Sequence, residues 1–473
     1  MASTVARPII LENPATGMRL GPVLGGLSRA LDLVEGQPMG HAVRTTLIGM
    51  KIGGQLGLSD DERSALFYAL LLKDLGGSSN SSRLAALFGT DDLSLKHSFS
   101  LVDWVAGRDS ARHALRHLIP GQSRMARTWH TIRLGSRHKE ARREMIAGRA
   151  ERGAELAQLL SLPKASAEAI RTIDEHWDGN GMPLGLRGSG IPMLARIAGL
   201  AQSVEAFARS FDVEAAYQMA HARRGRWFDP VMVDCLDSFK FDAGFWGGLQ
   251  GTDPLELLAD AEPREHLVFA DEHRLDAVTE VFAKVIDAKS PFHGRHSQNV
   301  AFLAVNTGKE LGMPRSELRT LRRAALLHEI GTLGISNRIL DKPSALDPVE
   351  VETMRQHTRQ GFEILRQVPR FRQFAATASA HHEKLDGSGY HLGLKGEELG
   401  QSARILAVAD ICEALSADRP HRKAMPIGTV LARLEELVAA GHLCPVVTDA
   451  LTGWFEGIPA PEPEVEEATS QAA

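Results

Sequence analysis

Residues 326–390 decide the fold. Leu326 opens LLHEIGTLGISNRILDKP, the chain passes through QHTRQG at 356–361, and ASAHHEKLDGSGYH fills 378–391. His328, Glu329, His357, His381 and His382 lie in this stretch. Upstream, His296 sits in HGRHSQNV, and downstream Asp410 sits in ILAVADICEAL. Together these are five histidines and two carboxylates. Neutral imidazole and carboxylate suit divalent metals of intermediate softness, such as iron, manganese or zinc. The set exceeds the need of one tetrahedral zinc and suits two ions sharing a bridging carboxylate.

Composition narrows the class. A chain of 473 residues is long enough for two or three domains with sizeable cores. Aromatics are only 5%, and the Ala/Leu-rich runs carry helical rather than alternating periodicity. The charge balance, 54 − 59 = −5, excludes a generic binder of nucleic acid or anionic membrane. Cys235, Cys412 and Cys444 lie far apart with no CxxC pair, which fits a reducing cytoplasm and argues against disulfides or a cysteine zinc site. The N-terminus lacks an apolar core of signal-peptide length, and no run of about 18 apolar residues predicts a membrane span.

The chain repeats itself. QPMGHAVRTTLIG followed by DERSALFYALLLKDLGG matches HGRHSQNVAFLAV followed by SELRTLRRAALLHEIGTLG. His41 to Asp74 spans 33 residues (74 − 41), as does His296 to Glu329 (329 − 296). DEHWDGNGMPLGLRG matches HHEKLDGSGYHLGLKG, and LARIAGLAQSVEAF matches SARILAVADICEAL. Asp178 to Gln202 and Asp386 to Asp410 are both 24 residues. A tandem duplication follows. Between Asp74 and Asp178 the first copy carries 104 − 57 = 47 more residues than the second has between Glu329 and Asp386. That extra length, around 95–145, includes His113 and His117 four apart and the basic run TWHTIRLGSRHKEARREM. Both read as solvated helix face rather than as sites. The expected organisation is an N-terminal extension at 1–20, loosely ordered, a first helical domain at 21–240, a helical connector at 241–276, a second domain at 277–457, and a disordered acidic tail at 458–473.

His328 and Glu329 end an Ala/Leu run and precede a glycine, so two coordinating side chains emerge from the end of a buried helix. His357 alone reads as an ordinary exposed helix histidine. Adjacent His381 and His382 leading into DGSGY are poorly explained by packing. Asp386 reads as a turn former, and Gly387 and Gly389 permit the turn.

These residues resemble the HD-GYP domain, an all-α metal-dependent phosphohydrolase type that hydrolyses cyclic di-GMP. LLHEIG is similar to its HD motif and HHEKLDGSGYH to its HHExxDGxGYP motif, over about 277–425 and more weakly over 25–240. The resemblance implies two tandem HD-type helical domains and two divalent ions, iron or manganese. His296, His328, Glu329 and Asp410 would hold one ion; His357, His381 and His382 would hold the second, with Glu329 bridging. His328 and Glu329 would be catalytic, and Arg419 and Arg422 of DRPHR would contact substrate phosphate. A water of lowered pKa between the ions would attack phosphorus.

Three departures stand out. Glu329 replaces the family's aspartate, Thr332 replaces a lysine that faces the substrate, and His391 replaces the GYP proline. In the first copy Lys73 stands for His328, Arg149 for His357, Ile173–Asp174 for the histidine pair and Gln202 for Asp410, so no metal is expected there. The expected function is cytoplasmic hydrolysis of cyclic di-GMP or a related cyclic dinucleotide. The first copy would serve regulation, a protein partner or a homodimer, with no nucleic acid or membrane involved. The alternatives are a non-catalytic nucleotide-binding or scaffold protein, or a phosphohydrolase of another nucleotide.

Overall fold

A computed structural model describes residues 12–13, 17–103, 138–251, 255–264 and 267–457. The His113–His117 pair, most of the basic run and the acidic tail lie outside them, as does much of 1–20.

The described residues are mostly helical. In each half three helices form the frame. In the second, His296–Glu310 packs on Arg315–Leu327 and on Gln401–Ser416. In the first, His41–Gln55 packs in the same way on Asp60–Leu71 and Met193–Ser210. The aligned residues also share local geometry. Glu175 accepts the backbone N–H groups of Leu184 and Leu186 (2.6 and 2.8 Å), while Glu383 accepts those of Leu392 and Leu394 (3.0 and 3.2 Å). Each carboxylate ties down the loop that follows its motif.

The gap left by the extra residues is bridged at one close approach. A Cβ on Gly331 would lie 1.9 Å from the His357 carbonyl oxygen, and one on Gly76 would lie 1.9 Å from that of Arg149. Only glycine lets the motif turn press against the next helix at these positions. The shared contact also pairs Arg149 with His357, as the alignment requires.

A small sheet departs from a purely helical reading. Glu12–Asn13, Gly17–Arg19 and Phe269–Ala270 form a small antiparallel sheet, so the end of the extension is ordered rather than loose. Its anchor is Glu262, only 2% exposed, which accepts from Arg19 Nε (2.9 Å), Tyr68 Oη (3.0 Å) and Gly21 N (3.2 Å). A buried carboxylate with three donors is satisfied, and it fixes residues 17–21 to the connector.

Helix Leu20–Val34 is buried on nearly every side, because it lies between the halves. It packs both on His41–Gln55 and on the 3₁₀ turn Ile330–Gly334 that follows the second motif. One buried apolar cluster accordingly runs from Met18 to Ala378, and a second fills the space from Ala283 to Leu451. The connector contributes Leu258 and Ala270 to the first cluster.

A buried ion pair crosses between the halves. Lys289 Nζ donates to Asp92 Oδ2 (3.3 Å), and both side chains are 0% exposed. Asp92 Oδ1 also accepts from Asn337 N (2.8 Å) and Ser336 Oγ (3.1 Å). Burial pulls the Lys289 ammonium down to about 8 against the attraction of Asp92. Breaking one side of such a pair leaves a bare buried charge, which costs about 3–5 kcal/mol. Asp92→Ala is therefore expected to lose stability of that order in urea unfolding. Asp92→Leu combined with Lys289→Met is expected to recover most of it, and equal losses in both variants would contradict the account.

Candidate metal centre

The site is built from five segments. Helix Arg315–Leu327 carries its buried Ala324–Leu327 run into the core and delivers His328 as its C-cap, with Glu329 next. His296 opens helix His296–Glu310, and Asp410 lies on Gln401–Ser416. His357 lies on Pro348–Leu365, whose start is fixed by an Asp347–Glu350 capping box and Pro348. His381 and His382 follow the end of Arg372–Ser379. His357 is 1% exposed, so it is not the surface residue that it resembles in isolation.

All seven sequence-derived ligands converge, in two groups. Glu329, His357, His381 and His382 form one; His296, His328 and Asp410 form the other. Within each, one ligand atom per residue lies within 4.8 Å of the rest. Asp410 Oδ1 is 3.3 Å from His296 Nε2 and 3.6 Å from His328 Nε2. The two Glu329 oxygens each face an imidazole at 3.8 Å: Oε1 faces His381 Nε2, and Oε2 faces His357 Nε2. Asp410 Oδ2 reaches toward the other group, 3.9 Å from His382 Nδ1. Both Glu329 oxygens thus face histidines of its own group, and Asp410 is the carboxylate that reaches from one group toward the other.

The donor chemistry fits metal ions. His328, His357 and His381 each place Nδ1 on the carbonyl three residues back, that of Ala325, Met354 and Ala378 (2.7, 2.6 and 2.7 Å). A carbonyl only accepts, so Nδ1 carries the proton and Nε2 presents a lone pair. The Nε2 atoms of His357 and His381 lie 3.1 Å apart, lone pair against lone pair. His328 Nε2 and Glu329 Oε2 are buried without a hydrogen-bond partner. A bound cation satisfies all of these at once.

The ionisable groups of the cluster shift one another. Burial opposes a charged Glu329, yet the surrounding imidazoles, His357 and His328 first, hold its carboxyl well below the usual range. Burial likewise opposes ionised Asp410, but His296 and His328 hold it well below its ordinary value. Burial depresses His381 strongly and brings His382 to about 4, keeping both neutral. Burial also opposes charge on His296, but Asp410 and Glu413 outweigh it and push the group up to about 10.

The other expected site residues fall differently. Arg419 Nη2 lies 3.2 Å from both Glu413 Oε2 and His296 Nδ1, at the edge of the cluster. Arg422 turns away and donates to the carbonyls of Ala414, Leu415 and Lys423. Thr332 is 2% exposed and donates to the Glu329 carbonyl (2.6 Å). His391 is exposed, with Nδ1 2.9 Å from Thr358 Oγ1, and belongs to neither group. Asp386 accepts the N–H of Ser388 (2.9 Å), the turn-forming role read from its sequence. Two neighbours escaped the sequence reading. Tyr390 packs against His382 at a tilt, with ring centroids 4.4 Å apart. Glu413 binds His296; its signal was its place three residues after Asp410, on the same helix face.

In the first half, Lys73 Nζ lies 3.1 Å from His41 Nε2 and is ion-paired with Asp74. Arg149 Nη2 reaches the other Asp74 oxygen at 2.8 Å. Two side-chain cations thus neutralise the carboxylate that aligns with Glu329.

A family profile described as "HD domain" matches residues 127–232 and 280–445, one segment in each half. The chain is 40% identical to "3'3'-cGAMP-specific phosphodiesterase 3" of Vibrio cholerae, over 88% of this chain and 90% of that protein. A solved structure of a cyclic GMP-AMP-specific phosphodiesterase from the same organism superposes with a TM-score of 0.66 at 35% identity, covering 93% of this chain and 98% of that one. The "Cyclic di-GMP phosphodiesterase" of Thermotoga maritima is 41% identical, but over 30% of this chain and 39% of its own. Two profile matches, a relative spanning nearly the whole length and a converged ligand set carry one conclusion: the chain belongs to the HD domain family, in the HD-GYP form that its second half resembles.

Proposed function

We propose that the protein is a metal-dependent phosphodiesterase of a cyclic dinucleotide, with 3'3'-cGAMP its preferred substrate and iron or manganese its metal. One observation carries the substrate choice. A relative named for 3'3'-cGAMP aligns across both halves, 88% of the chain, whereas the Thermotoga maritima relative named for cyclic di-GMP aligns over 30%.

His296, His328 and Asp410 would hold one ion, and His357, His381, His382 and Glu329 the second, with Glu329 the residue that the family resemblance casts as the bridge. Two divalent ions so held supply a water of lowered pKa and offset charge on the phosphoryl oxygens. The chain's own residues set the rest. The neutral imidazoles keep their Nε2 lone pairs turned inward. Tyr390, packed against His382 with Arg355 over its outer surroundings (5.4 Å from the ring centroid), walls one side of the cluster. Thr332 and Arg422 have their polar groups committed to backbone carbonyls, so cationic contact to phosphate at the cluster edge rests on Arg419. The first half, with Lys73 and Arg149 in place of ligands, serves regulation or assembly, including a homodimer, in the cytoplasm. Among the described residues no helix is long and apolar enough to cross a membrane.

Protein loaded anaerobically with iron or manganese is expected to hold about two ions per chain and to release linear dinucleotide, faster from 3'3'-cGAMP than from cyclic di-GMP. Replacing His381 and His382 by Ala is expected to lower hydrolysis by at least about 100-fold, the upper end of what losing a mere outer-shell partner costs. Unchanged hydrolysis would sink the metal assignment, and two ions without turnover would favour a binding role.

Arg419→Ala is expected to reduce kcat/KM by about 10- to 100-fold, the worth of one charge-assisted hydrogen bond of about 1.5–3 kcal/mol. Arg422→Ala is expected to do less. Equal effects in a steady-state comparison would mean that Arg422 leaves its carbonyls when substrate binds.

A further inference from the structure

A metal-binding imidazole is aimed by what its other nitrogen does. His328, His357 and His381 use a carbonyl three residues back. His296 opens its helix and makes no such bond; its Nδ1 instead meets Glu413 Oε2 at 2.5 Å. Asp410 and Glu413 lie three residues apart on Gln401–Ser416, so they share a face. One ring is thereby clamped at both nitrogens by a single helix, with Asp410 at Nε2 and Glu413 at Nδ1.

Glu413 is itself fixed. Its side chain is 7% exposed, Asn299 Nδ2 donates to Oε1 (3.1 Å) and Arg419 Nη2 donates to Oε2 (3.2 Å). We propose that Glu413 is a positioning residue of the metal centre, which through His296 Nδ1 aims Nε2 at the ion shared with His328 and Asp410. The proposal rests on the metal reading of the site and not on the identity of the substrate.

The first half supplies an internal control. Glu205 aligns with Glu413 and binds His41 Nδ1, with Arg44 Nε on its other oxygen at 2.5 Å. Gln202 stands where Asp410 would be, and the His328 position is Lys73. His41 Nε2 nevertheless faces a cation, the Lys73 ammonium at 3.1 Å. The carboxylate–imidazole unit therefore persists where the ligand set does not, and in both halves it leaves Nε2 turned toward the place of a positive charge.

The test counts metal rather than turnover. The full chain, Glu413→Gln, Glu413→Ala and His296→Ala are equilibrated with graded free manganese, and bound ion per chain is measured by elemental analysis. Glu413→Gln keeps the shape and removes the charge, which guards against misfolding of the Ala variant. The expected result is that Glu413→Gln retains one ion at wild-type affinity and weakens the other about 10- to 100-fold. His296→Ala should weaken the same ion, and the magnetic coupling of the manganese pair should fade with it. Two ions at wild-type affinity in Glu413→Gln would overturn the proposal. So would loss of both ions with a matching fall in the Tm of metal-free protein, which would mark a role in folding alone. Selective loss of one ion supports the proposal even if the wild-type chain hydrolyses no cyclic dinucleotide, in which case the proposed function fails separately.

Discussion

Two lone pairs that face each other set the terms for the second half of this protein. His357 Nε2 and His381 Nε2 approach to 3.1 Å with their protons held on the opposite nitrogens by helix carbonyls. That contact is repulsive unless a cation stands beside it. The helices that enforce it cannot relax freely. Pro348–Leu365 is pinned at its start by a capping box and along its length by the bare backbone of Gly331. The fold thus holds ligands in place before an ion arrives, which reduces the ordering cost of binding it.

The first half solves the same problem differently. Its frame of three helices, its loop-tying glutamate and its close-approach glycine are those of the second half. Where the second half gathers imidazoles, the first places Lys73 and Arg149 against Asp74. A buried carboxylate needs a counter-charge whatever its source. In this half two side-chain cations meet that need. Helix Leu20–Val34 then packs on the turn behind Glu329, and Asp92 reaches Lys289, so the half with Lys73 and Arg149 physically supports the one with the histidine cluster.

Much of this was legible in the residues. The matched spacings of His41–Asp74 and His296–Glu329 announced the duplication, and the change from His328 to Lys73 announced which copy would lack ligands. All seven candidate ligands were readable as residues because each is a metal-binding residue type at a helix end or on a patterned helix face. Isolated His357 was harder, since nothing local distinguishes a buried helix histidine from an exposed one. Arg422 was harder still: the family resemblance implied a phosphate contact, while the structure has it beyond Gln401–Ser416 with its donors on the carbonyls of Ala414 and Leu415 at the end of that helix.

By itself, then, the sequence determined the helical class, the repeat, the residue types able to bind metal and their division between intact and altered copies. Those follow from periodicity and side-chain chemistry, which are properties of the chain. Only the tertiary structure decided which nitrogen of each imidazole points inward, that Glu329 sits against His357 and His381, that Glu413 holds His296 and that Arg422 turns away. Coordination and hydrogen bonding depend on ångström distances and angles between residues more than a hundred positions apart, and spacing along a chain fixes only the helix face from which each begins.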